Sequence, residues 1–346
     1  MNNKSLFFSL ITVFLILFPG YSLLNISNSE FQKGMSFTGY GREAYVGPGA
    51  RQSLLHLRQT RAGWISLLVT GYQENIDSTY IDYNHALTPS DESLIDIISY
   101  ARQLGLKVML KPHIDLLDDQ EQWRGQIGQN FGEASWQLWF SSYQDFILHY
   151  ASLAAQTGVE EFCLGCELDS TLGRRQDWLA TIAAIRQIYK GRLTYADDQL
   201  ESQPGAVTFW SALDYIGQNL YPTLSRKLHP SVSDLCAGWR RILPGLEALS
   251  TRWRKPILIT EIGYRSLEGG AINPWDWQKA GPVDLKVQRN GYEAALRTVR
   301  GKPYLRGIFW WQWFPDPSSG GQFDTSYTPY RKPAQLVLAL FNLFPW

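Results

Sequence analysis

The chain has 346 residues, equal numbers of acidic and basic side chains, and a charged fraction of only 18%. That balance excludes the basic footprint of a nucleic-acid binder, and three Cys exclude a disulfide framework. The length, with a leader subtracted, suits one large α/β barrel without a second domain.

Residues 1–25 place one Lys ahead of an apolar run, Leu6 to Phe18, which Pro19 and Gly20 break. This is the pattern of a secretory signal peptide. No small-x-small cleavage site follows, so an uncleaved amino-terminal anchor stands as the second reading, although the run is short for a bilayer span. Either reading puts the protein outside the cytoplasm, secreted or held in the cell envelope or periplasm. Residues 26–346 then make up the barrel, with 26–32 as a linker.

Lys33 to Gly39 reads as a first strand, with Tyr40, Arg42 and Glu43 on the loop beyond it. Ser53 to Thr60 is helical, and Trp64 to Thr70 is a second strand whose loop carries Gly71, Tyr72, Gln73 and Asn75. Asp91 to Leu104 is a helix with Ser90 as its cap. The third strand, Leu106 to Pro112, leads to His113 and Asp115 and to a long loop with Trp123 and Arg124. A long helix, Ser135 to Gln156, precedes a fourth strand, Val159 to Leu168, with Glu167 at its end. The helix Asp177 to Tyr189 feeds a fifth strand that stops near Asp197 and Asp198. Leu213 to Leu220 is the sixth, ending on Asn219 and Tyr221, and Ser231 to Ser250 is helical.

Pro256 to Tyr264, PILITEIGY, is the seventh strand and the most informative. Both of its parities are apolar, as in a parallel strand covered on two faces. Glu261 sits where it stops, and alternation puts Ile257, Ile259 and Glu261 on one face. A loop with Trp275 and Trp277 leads to the helix Val283 to Arg300, the eighth strand Leu305 to Trp311, and a closing helix Pro333 to Phe344. Strands alternating with helices predict a parallel sheet with crossover helices, a single (β/α)8 barrel.

A carboxylate at the end of a buried strand costs several kcal/mol unless it is paired, hydrated or used. The interval from Glu167 to Glu261 matches three βα units of about 30 residues each, which puts the two at the carboxyl ends of strands four and seven. Two carboxylates converging on a cleft are what glycosidic bond cleavage needs. Many of the 14 Trp belong to the core, and a surplus of flat rings suits stacking on sugar faces. Cys163 and Cys166 form C-x-x-C, but an offset of three within a strand sends them to opposite faces, and no second Cys pair completes a ligand set. Core packing is expected of them, and no metal.

His113 and Asp115 are candidates for sugar hydroxyls, as are Trp123, Arg124, Asn219 and Asp197. Lys111 shares the parity of His113, and either touches sugar or pairs with an acidic neighbour. Arg42 either holds Glu261 ionised or pairs with Glu43. Trp311 and Trp313 alternate one way and Trp310 the other.

Taken together and in order, KPHID, WRGQI, FCLGCEL, QNLYP, ITEIGY and FWWQW resemble glycoside hydrolase family 113 from about Lys33 onward. The resemblance implies a retaining barrel glycosidase with catalytic Glu residues on strands four and seven, and endo-β-1,4-mannanase activity. By it, Glu167 corresponds to the acid/base and Glu261 to the nucleophile. Tyr221 corresponds to the tyrosine that hydrogen-bonds the nucleophile, and Trp310 or Trp311 to the floor of the sugar subsite. The sequence departs from the wider clan at Cys166, where an Asn often contacts the sugar 2-OH. No cofactor is implied. The expected partner is an oligo- or polysaccharide and the expected state a monomer. Two other readings stand beside it: a retaining hydrolase of another β-linked glycan such as a glucan, and a non-catalytic carbohydrate-binding barrel of the cell envelope.

Overall fold

A computed structural model describes residues 31–118, 121–199 and 206–344; the expected leader lies outside the described residues. Eight strands, β1 (Gln32–Phe37), β2 (Trp64–Gln73), β3 (Lys107–Leu116), β4 (Glu161–Cys166), β5 (Arg192–Asp197), β6 (Ile216–Asn219), β7 (Ile257–Ile262) and β8 (Leu305–Trp313), close in sequence order into one all-parallel barrel. Among the described residues seven helices cover it: α1 (Pro48–Arg58), α2 (Asp91–Gln103), α3 (Glu133–Thr157), α4 (Arg175–Ile188), α5 (Val232–Trp253), α6 (Leu285–Val299) and α7 (Pro333–Asn342). The fold is the (β/α)8 barrel that the alternation of elements predicts. Between β5 and β6 the described residues hold a 3-10 turn, Trp210–Ala212, in place of a helix.

Local chemistry sets the element ends. The Ser90 hydroxyl caps α2 by accepting from the Ser93 N–H. Gly158, at φ 66°, ends α3 in a left-handed turn. β2 and β3 run further than their apolar runs suggest. They pair residue by residue from Trp64↔Lys107 to Gln73↔Leu116, so His113 and Asp115 lie on a strand and not on a loop. The ladder carries them past Gly71 and Pro112, which read as breaks in the sequence.

The core has two shells. Trp64, Met109, Cys163, Cys166, Ala196, Tyr215, Leu258 and Phe309 fill the barrel, and a larger layer, including Ile257, Ile259, Trp310 and Trp313, lies between strands and helices.

Alternation fails at three places on the carboxyl-terminal rim. On β7, Gln218↔Ile259 is followed by Asn219↔Glu261, so Thr260 is an extra residue. On β4, Cys163↔Thr194 is followed by Cys166↔Ala196. On β8, Met35↔Trp310 is followed by Phe37↔Trp313. Each extra residue is a bulge that turns the following side chain to the other face. This corrects three expectations. Glu261 does not share a face with Ile257 and Ile259. Cys163 and Cys166 face the same interior cluster. Trp310 and Trp313 lie together on the helix side, with Trp311 opposite.

At the other rim, Glu161 is buried and accepts from Gln32 Nε2. Burial raises its carboxyl to about 7 from an ordinary 4.5. Between those values the native state keeps a proton that the unfolded chain has lost. The resulting stability is complete below pH 4.5 and is lost as pH rises through 7. Glu161→Gln should therefore flatten the fall in melting temperature between pH 5 and 8. The expected difference is on the order of 3 kcal/mol, or several degrees, read by scanning fluorimetry; parallel curves for parent and variant would refute it.

Candidate active site

The barrel gathers a polar constellation at the carboxyl-terminal rim, and β3 supplies one wall of it. Period-two alternation lines up Met109, Lys111, His113 and Asp115 on the interior face, from the core outward. Lys111 is fully buried and donates through Nζ to Glu261 Oε1 at 2.5 Å and to Asn219 Oδ1 at 3.3 Å. The Tyr221 hydroxyl donates to the other oxygen of Glu261 at 2.9 Å. Thr260, the bulge residue, donates to Asn219 Oδ1 at 2.8 Å. Asn219 Nδ2 in turn donates to Glu167 Oε1 at 2.6 Å and reaches Cys166 Sγ at 3.4 Å. A continuous chain thus runs from Glu261 through Lys111 and Asn219 to Glu167.

Glu167 stands just past β4 with φ 53°, a left-handed backbone that a residue with a Cβ adopts only under constraint. The constraint comes from β5. The Glu167 N–H donates to Ala196 O at 2.9 Å, and the Leu168 N–H donates to the Tyr195 hydroxyl at 2.8 Å. Gly165 lets the strand pass this ring, because a Cβ there would lie 2.7 Å from Tyr195 Cε2. The free oxygen of Glu167 accepts from Arg124 Nη1 at 3.2 Å, and Arg124 is held by Asp115 Oδ1 at 2.5 and 3.1 Å.

Burial, with the Glu167 charge added, raises the Glu261 carboxyl, while Lys111 and Tyr221 oppose the shift. Burial works against the Lys111 ammonium, but the charge and hydrogen bond of Glu261 carry it above the ordinary lysine range. Burial and then the Lys111 charge push His113 well below 6.5, so its imidazole is neutral at neutral pH. His113 Nε2 lies 3.7 Å from Glu261 Oε1 and has no hydrogen-bond partner among the described residues. Trp311 is stacked parallel to this ring at 6.3 Å and is half-buried.

Not every expected residue joins the constellation. Trp310 is buried and stacks on Tyr292 of α6 at 4.0 Å, so it is core. Lys111 is too buried to meet a sugar, and of its two readings the pairing with an acidic neighbour is the one found. Arg42 is exposed, and among the described residues it pairs with neither Glu261 nor Glu43; its carbonyl accepts from the Ser90 N–H, which ties it to the β2 side of the rim. Asp197 is buried beside Asp169 and Asp198, outside the hydrogen-bond chain. Burial, then the neighbouring acids, raises Asp197 to about 7, and burial with the Glu167 charge raises Asp198 to about 8. Trp123 stands exposed at the rim, as do Trp275 and Trp277. Two contributors have no signal in the sequence reading. Tyr327 packs edge-on to Tyr221 at 6.3 Å, and Gln312 Oε1 accepts from the Thr38 hydroxyl at 2.8 Å.

His113, Cys166 and Glu261 bring ligand atoms within 4.8 Å of one another. The donor set does not suit a cation, however. The Lys111 ammonium already sits on Glu261, and burial pushes the Cys166 thiol well above its ordinary value, which keeps it protonated. The arrangement is suited to chemistry by two carboxyl groups that share one cleft and differ in their hydrogen-bond donors.

A family model for Glycoside Hydrolase Family 113 matches residues 35–332. The chain is similar to a solved GH113 β-1,4-mannanase, at 29% identity over 91% of this chain and 99% of that one, with a TM-score of 0.81. The GH113 β-mannanase of Alicyclobacillus acidocaldarius matches at 31% identity over 91% and 98%, also with a TM-score of 0.81. An endo-β-1,4-mannanase of Thermotoga petrophila, at 13% identity, 93% and 78% coverage and a TM-score of 0.56, shares the fold. No curated protein sequence matches.

Proposed function

This chain belongs to Glycoside Hydrolase Family 113 and is a glycoside hydrolase, and from that premise we propose that it cleaves β-1,4-linked mannan-type polysaccharide internally, with retention. Glu261 attacks the anomeric carbon as the glycosidic C–O bond breaks, and Glu167 gives its proton to the departing oxygen. Glu167 then takes a proton from water, whose oxygen displaces Glu261 from the same carbon. The observation that carries this reading is the hydrogen-bonded chain from Glu261 through Lys111 and Asn219 to Glu167. It joins a carboxylate just past β4 to one on β7 at one rim, the rim where such barrels keep their chemistry.

The environments support different tasks. Glu261 has a donor on each oxygen, the ammonium of Lys111 and the hydroxyl of Tyr221, and both favour the anion that attack requires. Glu167 accepts from Asn219 and Arg124. Asp115 offers Arg124 an alternative partner, so a sugar can free Glu167 for protonation without stranding the guanidinium. Neutral His113 and the face of Trp311 would bind and floor the sugar in the adjoining subsite. The mannan preference rests on the mannanases similar to this chain.

Tyr221→Phe should cost about 1.5–3 kcal/mol of support for the Glu261 carboxylate, roughly ten- to a hundredfold in kcat/KM. An unchanged constant would remove Tyr221 from the mechanism. The function itself is tested by turnover of reducing-end-labelled β-mannan, β-glucan and mixed oligosaccharides, with the first-formed anomer followed by proton NMR. Internal cleavage of mannan oligosaccharides to the β anomer is expected. Initial α anomer would exclude Glu261 as a nucleophile, and cleavage confined to glucans would overturn the substrate.

A further inference from the structure

α7 is a surface helix without a charge. It reads PAQLVLALFN, and Leu343 and Phe344 follow it. Ala334 and Leu338 pack on the barrel, whereas Leu336 (69%), Leu340 (60%), Leu343 and Phe344 are exposed. An offset of four puts Leu336 and Leu340 on one helical face, and Leu343 and Phe344 continue the exposed apolar surface past its end. A helix apolar on every side is ordinarily covered, and ten residues are too few to span a bilayer.

What flanks this stripe is basic. Asn342 Nδ2 donates to Thr60 O at 2.9 Å, which sets the end of α7 against the α1–β2 turn, where Arg58 and Arg61 are exposed. On the other side α7 packs against α6, whose end carries the exposed Arg300 and Lys302. The Arg300 guanidinium lies 5.9 Å over the Phe344 ring. Lys33 Nζ donates to the carbonyls of Asn342 and Phe344, both at 3.0 Å. Complementing helix dipoles does not explain the pattern, since Arg61, Lys302 and Lys33 lie outside the helices. The same sign recurs around the amino-terminal rim: the turns into β2, β5, β7 and β8 all carry Lys or Arg. The turns into β4 and β6 carry the acids Glu160 and Asp214, so the basic residues gather on the side of this rim where α7 ends.

We propose that α7 and its basic flanks form a surface that lies on an anionic lipid bilayer. Exposed leucines and a phenylalanine would enter the headgroup boundary while Arg58, Arg61 and Lys302 meet acidic headgroups, the two components of interfacial binding. Two further observations favour a bilayer over other occupants. The chain enters β1 at this same corner, preceded by residues 1–30, whose Leu6-to-Phe18 run is apolar. A symmetric contact between two copies would bring the same cations face to face. Glu167 and Glu261 lie at the opposite rim, so a molecule seated this way presents its cleft to the outside.

The test is cosedimentation of the full chain with vesicles of equal parts phosphatidylglycerol and phosphatidylcholine, against phosphatidylcholine alone. Binding should require the acidic lipid and weaken with salt. Leu336→Glu/Leu340→Glu and, separately, Arg58→Glu/Arg61→Glu should each reduce the bound fraction roughly tenfold or more, with mannan hydrolysis in solution unchanged. If the leucine variant fails to fold, the arginine variant decides. Retention of both folded variants on vesicles would assign membrane binding to residues 1–30 alone and overturn the proposal. So would absence of wild-type binding, or a dimer in sedimentation velocity that the leucine variant abolishes.

Discussion

Glu261→Gln should lower kcat on a mannan oligosaccharide by about 10⁴-fold or more. The amide keeps the shape of the side chain, and its single oxygen can still accept from Lys111 while its NH2 donates to the Tyr221 hydroxyl, but it cannot form the glycosyl ester. It also leaves the Lys111 ammonium, which is fully buried, without a counter-charge, so the variant should melt below the parent. Lost turnover and lost stability must therefore be separated. Glu261→Ala supplied with azide does this: the small anion can enter from the side of the missing carboxylate and trap the sugar as an α-azide. Recovery of that product, with melting temperature unaltered by azide, ties the residue to attack on carbon. A Glu261→Gln enzyme with more than about a hundredth of parental turnover would end its role as nucleophile.

The second large effect is expected one residue back along the chain of hydrogen bonds. Lys111→Met removes one partner of a buried ion pair, a change that costs about 3–5 kcal/mol when the other charge remains. Glu261 relieves that cost by taking up a proton. Its carboxyl is already above the ordinary range through burial and the Glu167 charge, with Lys111 opposing; without the ammonium it rises further. The nucleophile must be ionised, so the acid limb of kcat/KM should move to higher pH. Turnover near pH 6 should fall by about 10²-fold or more and recover in part as pH increases. A residue that only packed the barrel would leave the limb where it was, and that outcome would refute the assignment.

Period and spacing were enough to read the barrel. Apolar runs at both parities mark parallel strands covered on two faces, and the Glu167-to-Glu261 interval marks strands four and seven. What failed was the rule of alternation, and it failed where the site is. Single extra residues on β4, β7 and β8 reverse the faces of Cys166, Glu261 and the Trp310–Trp313 group. A bulge leaves no mark in hydrophobic pattern, because the inserted residue is itself compatible with a strand. It becomes visible only when the partner strand fixes the register. Lys111 illustrates a second limit. Its position on the interior face follows from the sequence, but that the ammonium goes to Glu261 and not to solvent depends on β6 and β7 closing over it. Arg42 shows the complementary limit, since a loop residue has no ladder to aim it.

Glu167 occupies a left-handed backbone at φ 53°, a conformation that costs a side chain with a Cβ about 1–2 kcal/mol and costs glycine almost nothing. Heat tolerance and turnover are consequently opposed at this position. Laboratory evolution scored on survival at high temperature alone would favour Gly or Asn there, and the sturdier lineages would lose a carboxyl group from the cleft.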